Sequence, residues 1–165
     1  MHQISAPTLC LQNREGGLGI TDLKAWNTAA YLGFVFKIAS KEKNLWVNWC
    51  WSQLIKEKHF WSMKMPRDCS WVWKHILKAR TETIKHVRYS IADGKNTLLW
   101  HDPWLSDSLL ILDDLVRDEW SSLDGNSKVS VLITDGKWNH LVHNLHNLQL
   151  KEKVLAVEIN LRKIE

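Results

Sequence analysis

Eleven tryptophans in 165 residues constrain this chain more than any other feature. Each indole carries roughly 200 Å² of surface and one N–H donor, so a chain with so many must build an interior that covers rings and offers acceptors, or display rings for stacking. Indoles fill cores far more often than they stack on bases. Core packing is therefore the reading adopted, with Trp26, Trp46, Trp49, Trp71 and Trp100 expected to form much of the interior. A hydrophobic share of 45% and a charged share of 24% suit a folded chain, and the length suits about one ordinary domain.

Helical periodicity dominates the first half. Asn13 to Ile20 holds three glycines in four positions and reads as a tightly bent loop. Thr21 or Asp22 can then cap a helix in which Leu23, Trp26, Ala30, Phe34 and Ile38 recur on one face. Gly33 inside that pattern implies either close approach of a neighbouring element or a weaker helix. After the polar break at residues 40–44, Leu45, Trp46, Trp49 and Ile55 predict a second amphipathic helix, ended near Lys56, Glu57 and Lys58. Pro66 separates it from a third, Trp71 to Arg80, capped by Ser70, with Val72, Ile76 and Leu77 on its apolar side and Trp73 flanking it.

From Val87 the period changes to alternation. Val87, Tyr89 and Ile91 share one parity, and Leu98 and Trp100 another, on either side of Asp93-Gly94, so the sequence predicts a central β-hairpin there. Pro103 ends the second strand. Leu109, Leu112, Leu115 and Val116 give a weak helical pattern, residues 121–127 a surface loop, and Lys128 to Thr134 a short strand or a helical start. Asp135-Gly136 breaks that element, and Trp138, Leu141, Val142 and Leu145 continue as a helix. Residues 151–165 alternate charge with Val154, Leu155, Val157, Ile159 and Leu161. The expected fold is α+β and mainly α-helical, with amphipathic helices packed around a central hairpin. Three stretches are expected: an N-terminal loop over 1–20, a helical and hairpin domain over 21–120, and a loop with a further helix, truncated, over 121–165. No fixed-period repeat or low-complexity tract occurs.

Charge is divided along the chain. Residues 41–95 hold twelve Lys/Arg against five Asp/Glu, whereas residues 96–135 hold two against eight. The basic stretch suits sequence-independent contact with phosphate backbones, although lysines spread along helices also serve simply as a solvated face. No run approaches the roughly 20 apolar residues of a membrane span. The amino terminus lacks the layout of a secretory signal, so an intracellular protein, nuclear or cytoplasmic, is expected. Cys10, Cys50 and Cys69 are an odd number at wide spacing and read as free thiols.

The familiar catalytic arrangements do not form in the sequence. A two-metal polymerase site needs paired aspartates, yet no Tyr-x-Asp-Asp box is present, and Asp113-Asp114 and Asp118-Glu119 sit in an acidic run that reads as solvated surface. Gly16-Gly17-Leu18-Gly19 lacks the GxxxxGK[ST] spacing of a phosphate loop. His140, His143 and His146 recur every three residues, but the third turns away on a helix and no cysteine or carboxylate pair completes a zinc set. Nothing in the sequence activates Cys69 with His75 or His86 as nucleophile and base. No catalytic, metal, cofactor or small-molecule site is expected.

Four strings occur in an order that is specific together. Glu15-Gly16-Gly17-Leu18-Gly19-Ile20 with Asp22-Leu23 and Trp26-Asn27 resembles the segment after the polymerase in plant non-LTR (LINE-type) retrotransposon reverse transcriptases. Ser70 to Leu77 resembles that family's SWVWKSIL string. Ile91-Ala92-Asp93-Gly94 with Trp100 to Leu105 resembles its IGNG and W.DPWL strings, and Val129 to Asn139 its later V.DLI…WN string. The match covers roughly residues 14–142, with departures at Ala92 and at Phe34-Val35-Phe36.

The resemblance implies a parent polyprotein with endonuclease, reverse transcriptase, this connecting region, a Cys/His zinc-binding segment and sometimes a ribonuclease H domain. This chain holds neither the polymerase carboxylates nor the Cys/His segment, so no enzyme activity of its own is implied. A connector of that kind would hold template or primer, RNA or DNA, with basic helices. Lys74, Lys78, Arg80, Lys85 and Arg88 are the candidates, Lys74 and Lys78 being four apart and so on one face of a helix. A host protein-interaction module using the acidic 96–135 stretch is the competing expectation.

Overall fold

A computed structural model describes residues 5–105, 109–110 and 114–160. The predicted positions Leu112, Asp113 and Leu161, and the side chain of Leu115, lie outside the described residues. A short helix α1 (Ala6–Cys10) and the glycine loop precede helix α2 (Leu23–Ala39). The loop folds back on α1 so closely that a Cβ at Gly17 would sit 2.0 Å from the Leu11 carbonyl oxygen. Of the two expected caps, Asp22 is the one used. Its Oδ1 accepts the amides of Lys24 at 2.9 Å and Ala25 at 3.2 Å, satisfying two donors that the first turn leaves open.

Of the predicted apolar face of α2, only Ile38 is buried. Leu23 and Trp26 are 77% and 72% exposed, because α2 meets helix α4 (Trp71–His86) only along its later turns, where Val35 and Ile38 are buried and Tyr31 and Ala39 half-buried. Nothing approaches Gly33, so its place in the pattern is open surface. Helix α3 (Leu45–Trp49), capped by Asn44, runs on as a π-helical turn (Cys50–Ile55). Val47 of α3 and Cys50 and Ile55 of the wider turn are buried, while Trp49 is half exposed and Trp46 is at the surface, against the expectation for both rings.

Helix α4 starts where expected, with Ser70 Oγ accepting the Trp73 amide at 3.2 Å, but runs six residues past Arg80 to His86. The extension follows from burial of Thr83 beyond the predicted end. Ile76 and Leu77 lie in the core as expected, but Trp73 joins them there while Trp71 and Val72 face solvent, which exchanges the expected places of Val72 and Trp73. A single apolar cluster joins these helices to Phe60, Trp61, Met63 and Leu109.

The second half is built differently. Ile91, Leu99, Trp100, Trp104, Trp120, Leu132, Val142 and Val154 form a second cluster out of short pieces. These are the stretch 91–104, which has no helix or strand of its own, with α5 (Asp114–Glu119), a 3-10 turn at Val129–Leu132, β1 (Ile133–Thr134), β2 (Lys137–Trp138), α6 (His140–His143) and α7 (Leu148–Leu155). The architecture is α+β and mainly helical, with one small antiparallel sheet among the described residues.

That sheet is not where the alternation placed it. The flanks of Asp93-Gly94 do not pair with each other: Leu98 bridges Lys128 antiparallel, and Ile91 bridges Ile159 parallel. Gly94, at φ +71°, serves instead a close crossing, since a Cβ there would lie 2.5 Å from the Ser130 nitrogen. The hairpin forms at the third Asp-Gly, where Asp135 (φ 50°) and Gly136 (φ 72°) both take positive φ and let Thr134 pair with Lys137. Two positive φ angles match the right-handed twist of the strands. The helix expected from Trp138 shrinks to α6 because Trp138 is already in β2.

Polar contacts join the two clusters. The Trp61 indole N–H donates to Tyr89 Oη at 2.8 Å, Tyr89 Oη donates to Asp102 Oδ1 at 3.5 Å, and Asp102 Oδ2 accepts the Leu98 amide at 2.8 Å. Beside them His101 stacks on His59, ring centroids 3.7 Å apart, with its Nδ1 2.6 Å from Ser62 Oγ. Burial raises the Tyr89 hydroxyl and the Asp102 carboxyl above their ordinary ranges, the Asp102 charge adding to the Tyr89 shift. Burial, with the charge of His59 behind it, pushes His101 down to about 4.

The turn over residues 59–63 has no regular structure of its own, and Arg80 supplies its donors. One guanidinium nitrogen donates to the carbonyls of Phe60 and Trp61, the second at 3.0 Å, the other to Met63 at 2.9 Å, and Nε to Leu77 at 3.0 Å. Replacing Arg80 with Met strands those carbonyls and is expected to destabilise the fold by about 3 kcal/mol in urea unfolding, with Arg80→Lys recovering only part. A second expectation concerns acid. An unfolded histidine titrates near 6.5, above folded His101 at about 4, so the unfolded chain takes up the proton first, and the stability His101 contributes above that window is lost as pH falls through it. Asp102, whose carboxyl is raised, acts with the opposite sign, so the measurement is a comparison: the urea midpoint of His101→Gln should fall less between pH 7 and pH 5 than that of the parent chain.

Candidate nucleic-acid interface

The five basic candidates fall into different environments. Lys74 and Lys78 stand one turn apart on the exposed side of α4, and neither forms an ion pair among the described residues. Beside them an aromatic group lies open: the rings of Trp71 and His75 are 4.0 Å apart, and Tyr31 stacks on His75 at 5.4 Å. Lys85 is paired with Glu82 at 2.8 Å. Arg88 donates to the Lys85 and Val87 carbonyls at 3.2 and 3.0 Å, closing the C-terminus of α4, where a cation is favoured by the helix dipole. Arg80 is turned inward, its donors given to the 60–63 carbonyls and Leu77. The shared helical face predicted for Lys74 and Lys78 is present, and Arg80 does not extend it.

A second basic site lies where the clusters meet. A cleft of about 540 Å³ is lined by Lys41, Lys58, Lys95 and Lys128, with His59, Trp51, Trp61 and Tyr89 among its walls and Asp102 as its carboxylate. Its lysines come from four separate segments: the end of α2, the turn after the π-helix, the Asp93-Gly94 turn and the bridge strand at Leu98. Trp51 is fixed by its indole N–H, which donates to the Ile38 carbonyl at 3.0 Å, and Lys41 Nζ sits 4.8 Å above its ring. Sequence reasoning missed this cleft. Periodicity finds residues that share one helix face, and these share none; the excess of basic residues over 41–95 pointed toward Lys41, Lys58 and Lys95, and nothing pointed toward Lys128.

The other sequence candidates are occupied with structure. Glu119 accepts the amides of His146 and Asn147 at the start of α7, and His146 Nδ1 lies 3.4 Å from the same carboxylate. Among the described residues no group of three His, Cys, Asp or Glu is placed to hold a metal ion. Cys50 is buried, which pushes its thiol up to about 11, away from the thiolate form a nucleophile needs. No helix among the described residues is long and apolar enough to cross a membrane.

The chain is similar to two proteins of Arabidopsis thaliana. It is 25% identical over 124 residues to a putative ribonuclease H protein, across 68% of this chain and 19% of that protein. It is 28% identical over 99 residues to an uncharacterized mitochondrial protein, across 56% of this chain and 60% of that protein. In both cases the chain spans less than two thirds of the relative's length. No family model and no solved structure matches it.

Proposed function

We propose that this chain is derived from a retroelement, corresponds to the connecting region after the polymerase of a LINE-type reverse transcriptase, and contacts template or primer nucleic acid without catalysing a reaction. The observation that carries the contact is the pair Lys74 and Lys78, exposed on one face of α4 with no carboxylate partner among the described residues. Ammonium groups one turn apart can meet neighbouring phosphates and release their counterions, a contact that needs no base sequence. The origin is supported by the ordered strings Glu15 to Trp26, Ser70 to Leu77, Ile91 to Leu105 and Val129 to Asn139. It is supported also by similarity to a long protein named for ribonuclease H.

A specific observation favours a second reading, a protein-interaction module. Leu18, Ile20, Leu23, Trp26 and Trp71 are more than half exposed along the first third of the chain and the start of α4. Large apolar side chains left this exposed are of the kind that contacts with other proteins cover. In a polyprotein the two readings are compatible, since a neighbouring domain would be the partner.

The nucleic-acid reading predicts retention of the purified chain on immobilised RNA or DNA at low salt and release as salt rises. Lys74→Gln with Lys78→Gln should weaken binding several-fold and lower the slope of log K against log salt by about 1.4 to 1.8, since each phosphate contact contributes about 0.7 on single strands and 0.9 on duplex. Absence of retention at low salt, or an unchanged slope in the double variant, overturns it.

A further inference from the structure

We infer that the cleft between the two apolar clusters is a single-strand nucleic-acid site, in which Trp51 stacks a base and Lys41, Lys58, Lys95 and Lys128 hold the flanking phosphates. The inference takes the partner's class from the proposed function but places contact on residues outside α4, so the two fail separately.

Three features of the cleft carry it. Its charge is one-sided, four lysines against Asp102, and that carboxylate is engaged with the Leu98 amide and Tyr89. Ammonium groups from four segments converging on one space repel one another unless an anion or solvent lies between them. The only one of the four in an ion pair among the described residues is Lys95, with Asp93 at 3.3 Å.

The second feature is the indole. Trp51 is half-buried, anchored through its N–H to the Ile38 carbonyl, and its exposed π face is occupied by the Lys41 ammonium at 4.8 Å. An anchored ring is a stacking platform that loses little freedom on binding, and base–aromatic stacking tolerates any base. When a base takes the face, Lys41 Nζ is displaced toward the phosphate on the same nucleotide, exchanging a cation–π contact for an ion pair. Lys41 itself has φ +52°, a backbone conformation that is rare outside glycine and sets its side chain at the turn after α2.

The third feature selects a strand over a free nucleotide. Trp51 and Lys41 also line an adjoining open groove with Asn48, Ser52 and Lys56, so the basic surface continues past the indole. A mononucleotide would use one side of Trp51; a strand uses both. A stacked base must be unpaired, so duplex cannot enter in this way.

The test measures anisotropy of labelled oligothymidylate, oligouridylate and a duplex of equal length with the whole chain. Expected is tighter binding of either single strand than of duplex by about tenfold or more. Lys41→Gln with Lys128→Gln, both at exposed positions, should bring that ratio near one, whereas Lys74→Gln with Lys78→Gln weakens both forms and leaves the ratio in place. A 4-thiouridine strand should cross-link to the peptide containing Trp51. An unchanged ratio in the cleft variant, or cross-links that map only to α4, overturns the cleft and leaves the α4 contact standing. Binding of duplex equal to single strand in the parent chain overturns it too, and no binding of any form overturns both.

Discussion

One guanidinium holds the centre of this molecule. Residues 56–70 cross between the π-helical turn and α4 with no regular structure, yet carry Phe60, Trp61 and Met63 into the core. Carbonyls drawn into a core need donors, and Arg80 provides them to three residues of that crossing while remaining charged, though burial pulls its pKa down to about 10. Because the crossing is held, Trp61 reaches Tyr89 and Ser62 reaches His101, so the second cluster is attached through the same turn. The cleft inherits its wall of His59, Phe60 and Trp61 from this arrangement. An arginine that looked like a phosphate ligand in the sequence is the strut on which the fold depends.

The tryptophans divide by what their N–H groups can find. Trp51, Trp61, Trp100, Trp104, Trp120 and Trp138 each donate to an oxygen from a distant part of the sequence or across a turn. Those bonds tie segments that share no sheet, which explains how the second half builds a core from elements of two to eight residues. Trp73 is the exception, buried with no partner for its Nε1 among the described residues, at a cost of about 1–3 kcal/mol that its packing must exceed. Trp26 and Trp71 stay outside because α2 and α4 meet on faces that exclude them, and Trp49 because α3 turns Val47 inward instead.

Local chemistry was legible in the sequence and tertiary choice was not. The caps at Asp22 and Ser70 and the glycine loop could be read because each depends on a few neighbouring residues. Asp-Gly occurs three times, at 93–94, 124–125 and 135–136, and the alternation around Asp93-Gly94 favoured the wrong one for the hairpin. What decided between them was the Val129–Ser130 segment lying against Gly94, a contact more than thirty positions away in sequence that no local pattern contains. The apolar face of α2 failed likewise: periodicity gives the stripe but not the length of helix that a partner covers. Lys74 and Lys78 were legible because one helix presents both. The four cleft lysines were not, because their proximity is a product of the fold.

The division of charge acquires a meaning in three dimensions that the count alone lacks. In the acidic stretch 96–135, Asp102 accepts the Leu98 amide, Asp124 the Asn126 amide, and Glu119 the amides that open α7. These carboxylates replace backbone acceptors where short elements leave amides unpaired, which is why the half of the molecule with the least regular structure is the acidic half. The basic stretch has longer helices and fewer open amides, and its lysines are not needed as internal donors, Arg80 apart. Their ammonium groups therefore remain at the surface, on α4 and around the cleft. The net charge of +4 is thus unevenly placed, and the lysines of the basic stretch, unlike those carboxylates, are not used by the chain's own caps and turns.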